Sequence, residues 1–191
     1  MEIVIISGGD INLELLKNYL KKHSNQTIIA VDKGLEALYK LNIIPNHVVG
    51  DLDSVNYNIL NYYKSNSKIE FHGYIPEKDF TDTDIALNLA ISLKPSNITI
   101  LGALGKRMDH ALANIHVLKN ALEAGIPCQI LDVNNKIYLI DSYLELKKSE
   151  LYGKYISLIP LTTLVTGLTL TGFKYCTHDF SLSIREKFRC K

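Results

Sequence analysis

The sequence predicts an α/β fold in two parts. An N-terminal parallel-sheet α/β domain covers residues 1–132, and a small C-terminal antiparallel β-sandwich covers 133–191. Three observations carry this. Short β-branched runs that end at Gly or Asp alternate with helical spacings through the first 130 residues, the grammar of a parallel sheet with helices on both faces. After about residue 133 helical spacing stops and period-two alternation takes over. Of the 191 residues, 47% are hydrophobic and 21% charged, a globular composition. A chain of this length buries roughly 70% of its extended surface and needs no disulfide or metal to fold.

Ile3-Val4-Ile5-Ile6 reads as a buried strand ended by Gly8-Gly9, and Leu13, Leu15-Leu16 and Tyr19-Leu20 follow at helical spacing. Thr27-Ile28-Ile29-Ala30-Val31 is the second strand, stopped by Asp32-Lys33-Gly34, and Leu35, Leu38, Tyr39 and Leu41 mark a short helix. His47-Val48-Val49 is the third strand. A polar helix or loop covers residues 56–66, and Ile69-Glu70-Phe71 reads as a short strand. Ile85 to Leu93 is a helix with Thr81 or Thr83 as N-cap. Ile98-Thr99-Ile100-Leu101 is a strand ended by Gly102. The helix through Leu112, Ile115 and Leu118 closes at Gly125-Ile126-Pro127, before a strand at Cys128-Gln129-Ile130-Leu131. In the second part, Lys136–Ile140, Lys154–Ile159, Leu168–Thr171 and Phe180–Ile184 alternate with period two, with Pro160, Gly167 and Gly172 between them.

The charge balance is 21 Lys+Arg against 20 Asp+Glu, so nothing favours nucleic acid as a partner. The apolar runs are about five residues, far from the ~20 that span a bilayer, and the N-terminus lacks the pattern of a signal peptide. The odd count of three cysteines (Cys128, Cys176, Cys190) suits a reducing cytoplasm.

Ligands of open α/β sheets bind beyond the carboxyl ends of the strands. Each of four such segments carries aspartate: Asp32-Lys33-Gly34, Gly50-Asp51-Leu52-Asp53-Ser54, Glu77-Lys78-Asp79-Phe80-Thr81-Asp82-Thr83-Asp84, and Gly102-Ala103-Leu104-Gly105-Lys106-Arg107-Met108-Asp109-His110. Carboxylates crowded at one sheet edge repel unless a cation lies among them, and all-oxygen ligation suits Mg²⁺. Taken singly, each has a plainer reading. Asp32 is a turn residue, Asp51 and Asp53 make a turn with Asp53 or Ser54 as helix N-cap, and Asp79 and Asp82 cap a helix. Arg107 is the sole arginine before residue 185, in a Gly-flanked strand-to-helix loop. Its planar fork suits bidentate phosphate contact, and Gly102 and Gly105 let backbone approach a phosphate; the plainer reading is an Arg–Asp pair tying the loop. His110 and Asn114, four apart, share a helix face. There is no GxxxxGK[ST] loop and no GxGxxG fingerprint, which disfavours a dehydrogenase. Together these segments favour Mg-nucleotide phosphoryl chemistry.

Residues 50–54, 78–87 and 102–110 with Asn114 resemble thiamine pyrophosphokinases. Ala30-Val31-Asp32-Lys33-Gly34 fits the family's first Asp-Gly turn, and Ser157–Leu161 and Val165–Tyr175 look like its C-terminal domain. The resemblance implies a catalytic α/β domain that binds ATP and Mg²⁺, a thiamine-binding β-sandwich, and a homodimer with active sites between subunits. It also implies transfer of the terminal diphosphate of ATP to thiamine, giving thiamine diphosphate and AMP. Carried over residue by residue, Asp51, Asp53, Asp79 and Asp82 hold the metal and act with Arg107 in catalysis. Asp32, Ser54, Lys78, Thr81, Gly102, Gly105, Arg107, Asp109, His110 and Asn114 bind the nucleotide. Two rival readings use the same residues: a diphosphokinase for another alcohol such as a pterin, and a non-catalytic nucleotide sensor. After Ile184 the family continues with a Gly/Ser-rich turn, a Ser-Asn pair and further strands, whereas this sequence reads Arg185-Glu186-Lys187-Phe188-Arg189-Cys190-Lys191. Residues 133–191 are therefore expected to form an incomplete β-domain.

Overall fold

The computed structural model describes residues 1–73 and 80–190. A seven-stranded sheet carries the first part of the chain. Its strands are β1 (Glu2–Ile6), β2 (Thr27–Val31), β3 (His47–Val49), β4 (Glu70–His72), β5 (Asn97–Leu101), β6 (Cys128–Leu131) and β7 (Lys136–Tyr138). The spatial order is β4-β3-β2-β1-β5-β6-β7. All pairings are parallel except β6 with β7. The order reverses between β1 and β5, so the crevice beyond their carboxyl ends is the topological switch point.

Five helices, α1 (Leu13–Lys22), α2 (Gly34–Lys40), α3 (Tyr57–Lys64), α4 (Asp82–Ser92) and α5 (Met108–Glu123), connect these strands. The period-two geometry of a strand sends alternate side chains to opposite faces. Ile3, Ile5, Ile29, Val31, Val49, Ile98 and Ile100 pack against Ala86, Leu87 and Ala90 of α4 and Leu118 and Ala121 of α5. Val4, Ile6, Ala30, Val48 and Leu101 pack on the other side against Leu16 of α1, Leu35 and Leu38 of α2, and Tyr63 of α3. Both faces are thus covered, which is why these strands read as continuous apolar runs. The Tyr63 hydroxyl, though buried, donates to the Ile43 carbonyl at 2.9 Å. Burial raises its pKa first, with Tyr62 and Tyr39 adding to the shift.

The expected domain boundary differs from the observed one. Compact units meet between Tyr143 and Leu144, not at 132. The alternating segment after 133 does form a strand, β7, but it pairs with β6 through Ile130↔Ile137 and closes the first sheet. Alternation reports a half-buried strand and not which sheet it joins. Asp132 makes the connection: its carboxylate accepts the backbone N–H of Asn134 and Asn135 in a tight turn, at 2.7 and 2.5 Å.

The second unit, Leu144–Lys191, holds a 3₁₀ turn (Lys148–Glu150) and two two-stranded antiparallel sheets. β9 (Leu164–Leu170) pairs with β10 (Thr177–Ser183) through two register irregularities, and β8 (Ile156–Leu158) pairs with β11 (Phe188–Cys190). The residues after Ile184 thus contribute a paired strand.

Candidate active site

Three of the four acidic segments are described in full and the segment before α4 from Phe80 on, and the carboxylates of Asp32, Asp51 and Asp82 act on one another. Asp32 follows β2 in a left-handed conformation, φ 43°. Its backbone N–H donates to the Val49 carbonyl at 3.2 Å, which pins it beside the segment after β3. A Cβ on Gly50, itself at φ +129°, would meet Asp32 Oδ1. Only glycine therefore lets the two loops lie this close. Asp51 comes next. Its Oδ1 accepts the Asp53 backbone N–H at 3.2 Å, an Asx turn, and both side chains are exposed. Asp82 opens α4 behind the N-cap Thr81, whose hydroxyl accepts the Asp84 N–H at 3.2 Å. Ser54 is exposed, and the N-cap of α3 is Asn56, not Asp53 or Ser54. Lys78 and Asp79 lie outside the described residues.

Asp32 Oδ1 is buried and has no hydrogen-bond partner among the described residues, while the Leu52 backbone and the Asp82 side chain reach the same carboxyl group. Burial first, then the Asp82 carboxylate, then Asp51, push the Asp32 carboxyl up to about 7. An orphaned buried oxygen among other carboxylates is a donor set for a hard cation, and Mg²⁺ fits it. Cysteine and histidine are absent from this group, so it does not suit softer metals.

Ser7, to which the sequence assigned no role, and Thr83, which is not the N-cap, place this group. The Ser7 and Thr83 hydroxyls, both buried, lie 2.7 Å apart and tie the end of β1 to the first turn of α4. That contact sets where Asp82 stands. Asp84 is also buried, and its carboxylate accepts from Asn88 at 3.1 Å and Asn120 at 3.0 Å, which joins α4 to α5. Asp84 is therefore a structural carboxylate. Ser7-Gly8-Gly9-Asp10 directly after β1 was the available signal, because the switch point needs a tight strand-end loop there.

The loop after β5 departs from expectation in its reasons. Gly102, at φ +73°, leaves no room for a Cβ because Ile11 and the Ser7 carbonyl lie against it. The Gly9 N–H donates to the Gly102 carbonyl at 3.0 Å. This glycine is required by loop-to-loop packing, whatever a ligand needs. Gly105 faces Gly9 and the Asp10 backbone. Arg107 and Asp109 are exposed and form a two-point pair, Nη2 to Oδ2 at 2.6 Å and Nε to Oδ1 at 3.3 Å. That is the loop-tying pair weighed against phosphate contact, and Arg107 holds the Asp109 carboxyl below its ordinary range. His110 is exposed, with Nε2 4.0 Å from Asp109. Asn114 does not stand beside it as an open ligand. It is buried, and its amide donates to the Ala103 carbonyl at 2.8 Å. Replacing Asn114 with Ala leaves that carbonyl unpaired, and we expect a loss of about 2 kcal/mol, measured as a urea midpoint shift.

A cleft of about 390 Å³ opens at the switch point, between Asp10, Ile11 and Leu15 on one side and Leu104, Leu131 and Val133 on the other. A second, of about 350 Å³, lies beyond β3 and β4 and includes Asp51, Leu52 and Lys64.

A family model described as "Thiamin pyrophosphokinase, catalytic domain" matches residues 16–130. A thiamine pyrophosphokinase of Bacillus subtilis (strain 168) is 37% identical over 189 residues, 95% of this chain and 84% of that protein. The chain belongs to the thiamin pyrophosphokinase family. A second family model, "Thiamin pyrophosphokinase, vitamin B1 binding domain", matches residues 141–188. The crystal structure of a Bacillus subtilis thiamine pyrophosphokinase superposes with TM-score 0.84 at 31% identity, covering 97% of this chain and 86% of that one. That of a Geobacillus thermodenitrificans thiamin pyrophosphokinase gives 0.82 at 26% identity, covering 100% and 88%.

For this member of the thiamin pyrophosphokinase family, Asp32 makes the metal-free stability depend on pH. Unfolded, its carboxyl titrates near 3.8; folded, it keeps its proton to about 7. Between these values the native state binds more protons, so stability falls as pH rises. The contribution is complete below 3.8 and lost above 7. We expect roughly 1–2 kcal/mol, less than the full shift because solvent reaches part of the carboxyl. In thermal melts without divalent metal, Asp32→Asn should flatten the decline between pH 5 and 8 and raise the Tm at pH 8. Added Mg²⁺ should raise the wild-type Tm there more than the variant's.

Proposed function

We propose that the chain transfers the terminal diphosphate of ATP to the hydroxyl of thiamine in a Mg²⁺-dependent reaction, giving thiamine diphosphate and AMP. The observation that carries this reading is the convergence of Asp32, Asp51 and Asp82 at the carboxyl edge of the sheet, around a buried Asp32 oxygen with no hydrogen-bond partner among the described residues. The two family matches, catalytic and vitamin B1 binding, support the substrate pair.

The thiamine hydroxyl oxygen attacks the β-phosphorus, the bond from that phosphorus to the bridging α–β oxygen breaks, and AMP leaves with the bridging oxygen. Mg²⁺, when bound, neutralises charge on the triphosphate and on the leaving α-phosphate. Asp51, Asp53 and Asp82, with Asp32 behind them, would hold it; Asp79 belongs to the same set by sequence. Arg107 would turn from Asp109 onto phosphate oxygens, its exposed fork trading one bidentate anion for another. Asp109 parks and orients that fork in the absence of substrate. An aspartate of this group would accept the hydroxyl proton. Catalysis otherwise consists of positioning, which is why so much of this edge is held by backbone contacts.

The second unit leaves Ile159, Leu164 and Ile184 exposed, which supports a homodimer in which a partner covers them. The free thiols Cys128 and Cys176 suit a reducing cytoplasm as the site of the reaction.

The test is incubation with ATP, Mg²⁺ and thiamine, with each omitted in turn and a pterin alcohol in place of thiamine. Turnover with thiamine only, lost on chelation, is the expected result. Turnover with the pterin alone, or ATP binding without turnover, would replace this reading by the corresponding alternative.

A further inference from the structure

We propose that His47, Glu70 and His72 form a binding site for a divalent transition-metal ion of the zinc type, with a donor set distinct from that of the aspartates. Their ligand atoms all lie within 4.8 Å of one another. His47 Nδ1 is 3.2 Å from His72 Nε2 and 3.3 Å from Glu70 Oε2, and His72 Nε2 is 3.9 Å from Glu70 Oε2. Bonds of about 2.0–2.1 Å to a tetrahedral zinc put neighbouring ligand atoms roughly 3.3–3.4 Å apart. Two of the three edges already have that length. The third closes by rotation of Glu70, whose side chain is 71% exposed.

The fold explains why these three residues meet. His47 opens β3 and is directly paired with Glu70 in the parallel register. His72 lies two residues along β4, so it shares a sheet face with Glu70. Asp51 follows the end of β3 opposite His47, and it and His72 line the same cleft beyond β3 and β4. The donor sets differ as well: two imidazoles and one carboxylate select zinc-like ions, whereas carboxylates alone select Mg²⁺. His47 is mostly buried, which holds its ring in place beside Glu70 and His72. Glu70 is exposed and His72 half-buried, so water can complete a fourth position.

A bound ion here clips β4, a three-residue edge strand, onto β3. It would stabilise the native chain by mass action, because the unfolded chain scatters the ligands. Without an ion, the same contacts amount to a ring N–H···N bond beside a carboxylate, and the two states differ in what they do on titration.

The experiment uses the untagged full-length chain, stripped with chelator and held in excess Mg²⁺ so that the aspartate edge is occupied. Co²⁺ is titrated and visible absorption recorded, then Zn²⁺ is added. Expected are a one-to-one Co²⁺ spectrum of a four-coordinate nitrogen and oxygen site, its displacement by Zn²⁺, and a higher Tm with Zn²⁺. His72→Ala and Glu70→Gln should each weaken Co²⁺ binding at least about tenfold. Glu70 is exposed and His72 half-buried, and circular dichroism of the stripped variants checks that they remain folded. No saturable spectrum, equal affinity in both variants, or a signal abolished by Mg²⁺ would overturn the proposal.

Discussion

Asp51→Asn should lower turnover at least about a hundredfold while leaving the fold intact. Asparagine keeps an oxygen acceptor for the Asp53 N–H, now at 3.2 Å, so the Asx turn survives and only the charge is lost. The side chain is exposed, and a surface change of this kind costs within about 0.5 kcal/mol. Its charge also raises the Asp32 pKa, so removing it relieves repulsion. Asp53→Asn should behave alike if its carboxylate reaches the same ion. Steady-state kinetics with thermal melts separate the outcomes. A large fall in Tm with full turnover would make the segment a structural turn, as its plainer reading has it.

Arg107→Lys should reduce kcat/KM at least about tenfold even though the charge stays. The guanidinium now makes a two-point contact with Asp109, which shows the geometry it can offer a phosphate. An ammonium is a point charge and reproduces neither the fork nor its fixed spacing. Both partners are exposed, so the pair itself adds little stability and melts should not move. Wild-type rates in this variant would make Arg107 a loop-tying residue.

The inner strands β1, β2, β3 and β5 were legible because each is buried on both faces and bounded by a turn residue. Val4 and Ile5, pointing to opposite cores, are both at 0% exposure. What the sequence could not show was partner choice. β7 alternates as any half-buried strand does, and only the turn at Asp132 decides that it folds back on β6. At the candidate site, the aspartates were found because their positions follow strands. Their neighbours were not, because Ser7 and Thr83 meet across 76 residues of chain. Asn114 shares a helix face with His110 in the sequence, but tertiary packing turns its amide onto Ala103. Gly102 illustrates the same limit. Its need for a bare backbone is clear in both readings, yet the neighbour that imposes it is Ser7 and Ile11.

The central claim is that both terminal phosphates of ATP move as one unit. ATP labelled at the β-phosphate and ATP labelled at the γ-phosphate should be supplied in separate reactions with thiamine and Mg²⁺, and the products separated by chromatography. Either label is expected in the thiamine product, with one AMP released per thiamine diphosphate formed. Label transferred from the γ-position alone, with ADP and thiamine monophosphate as products, would contradict it.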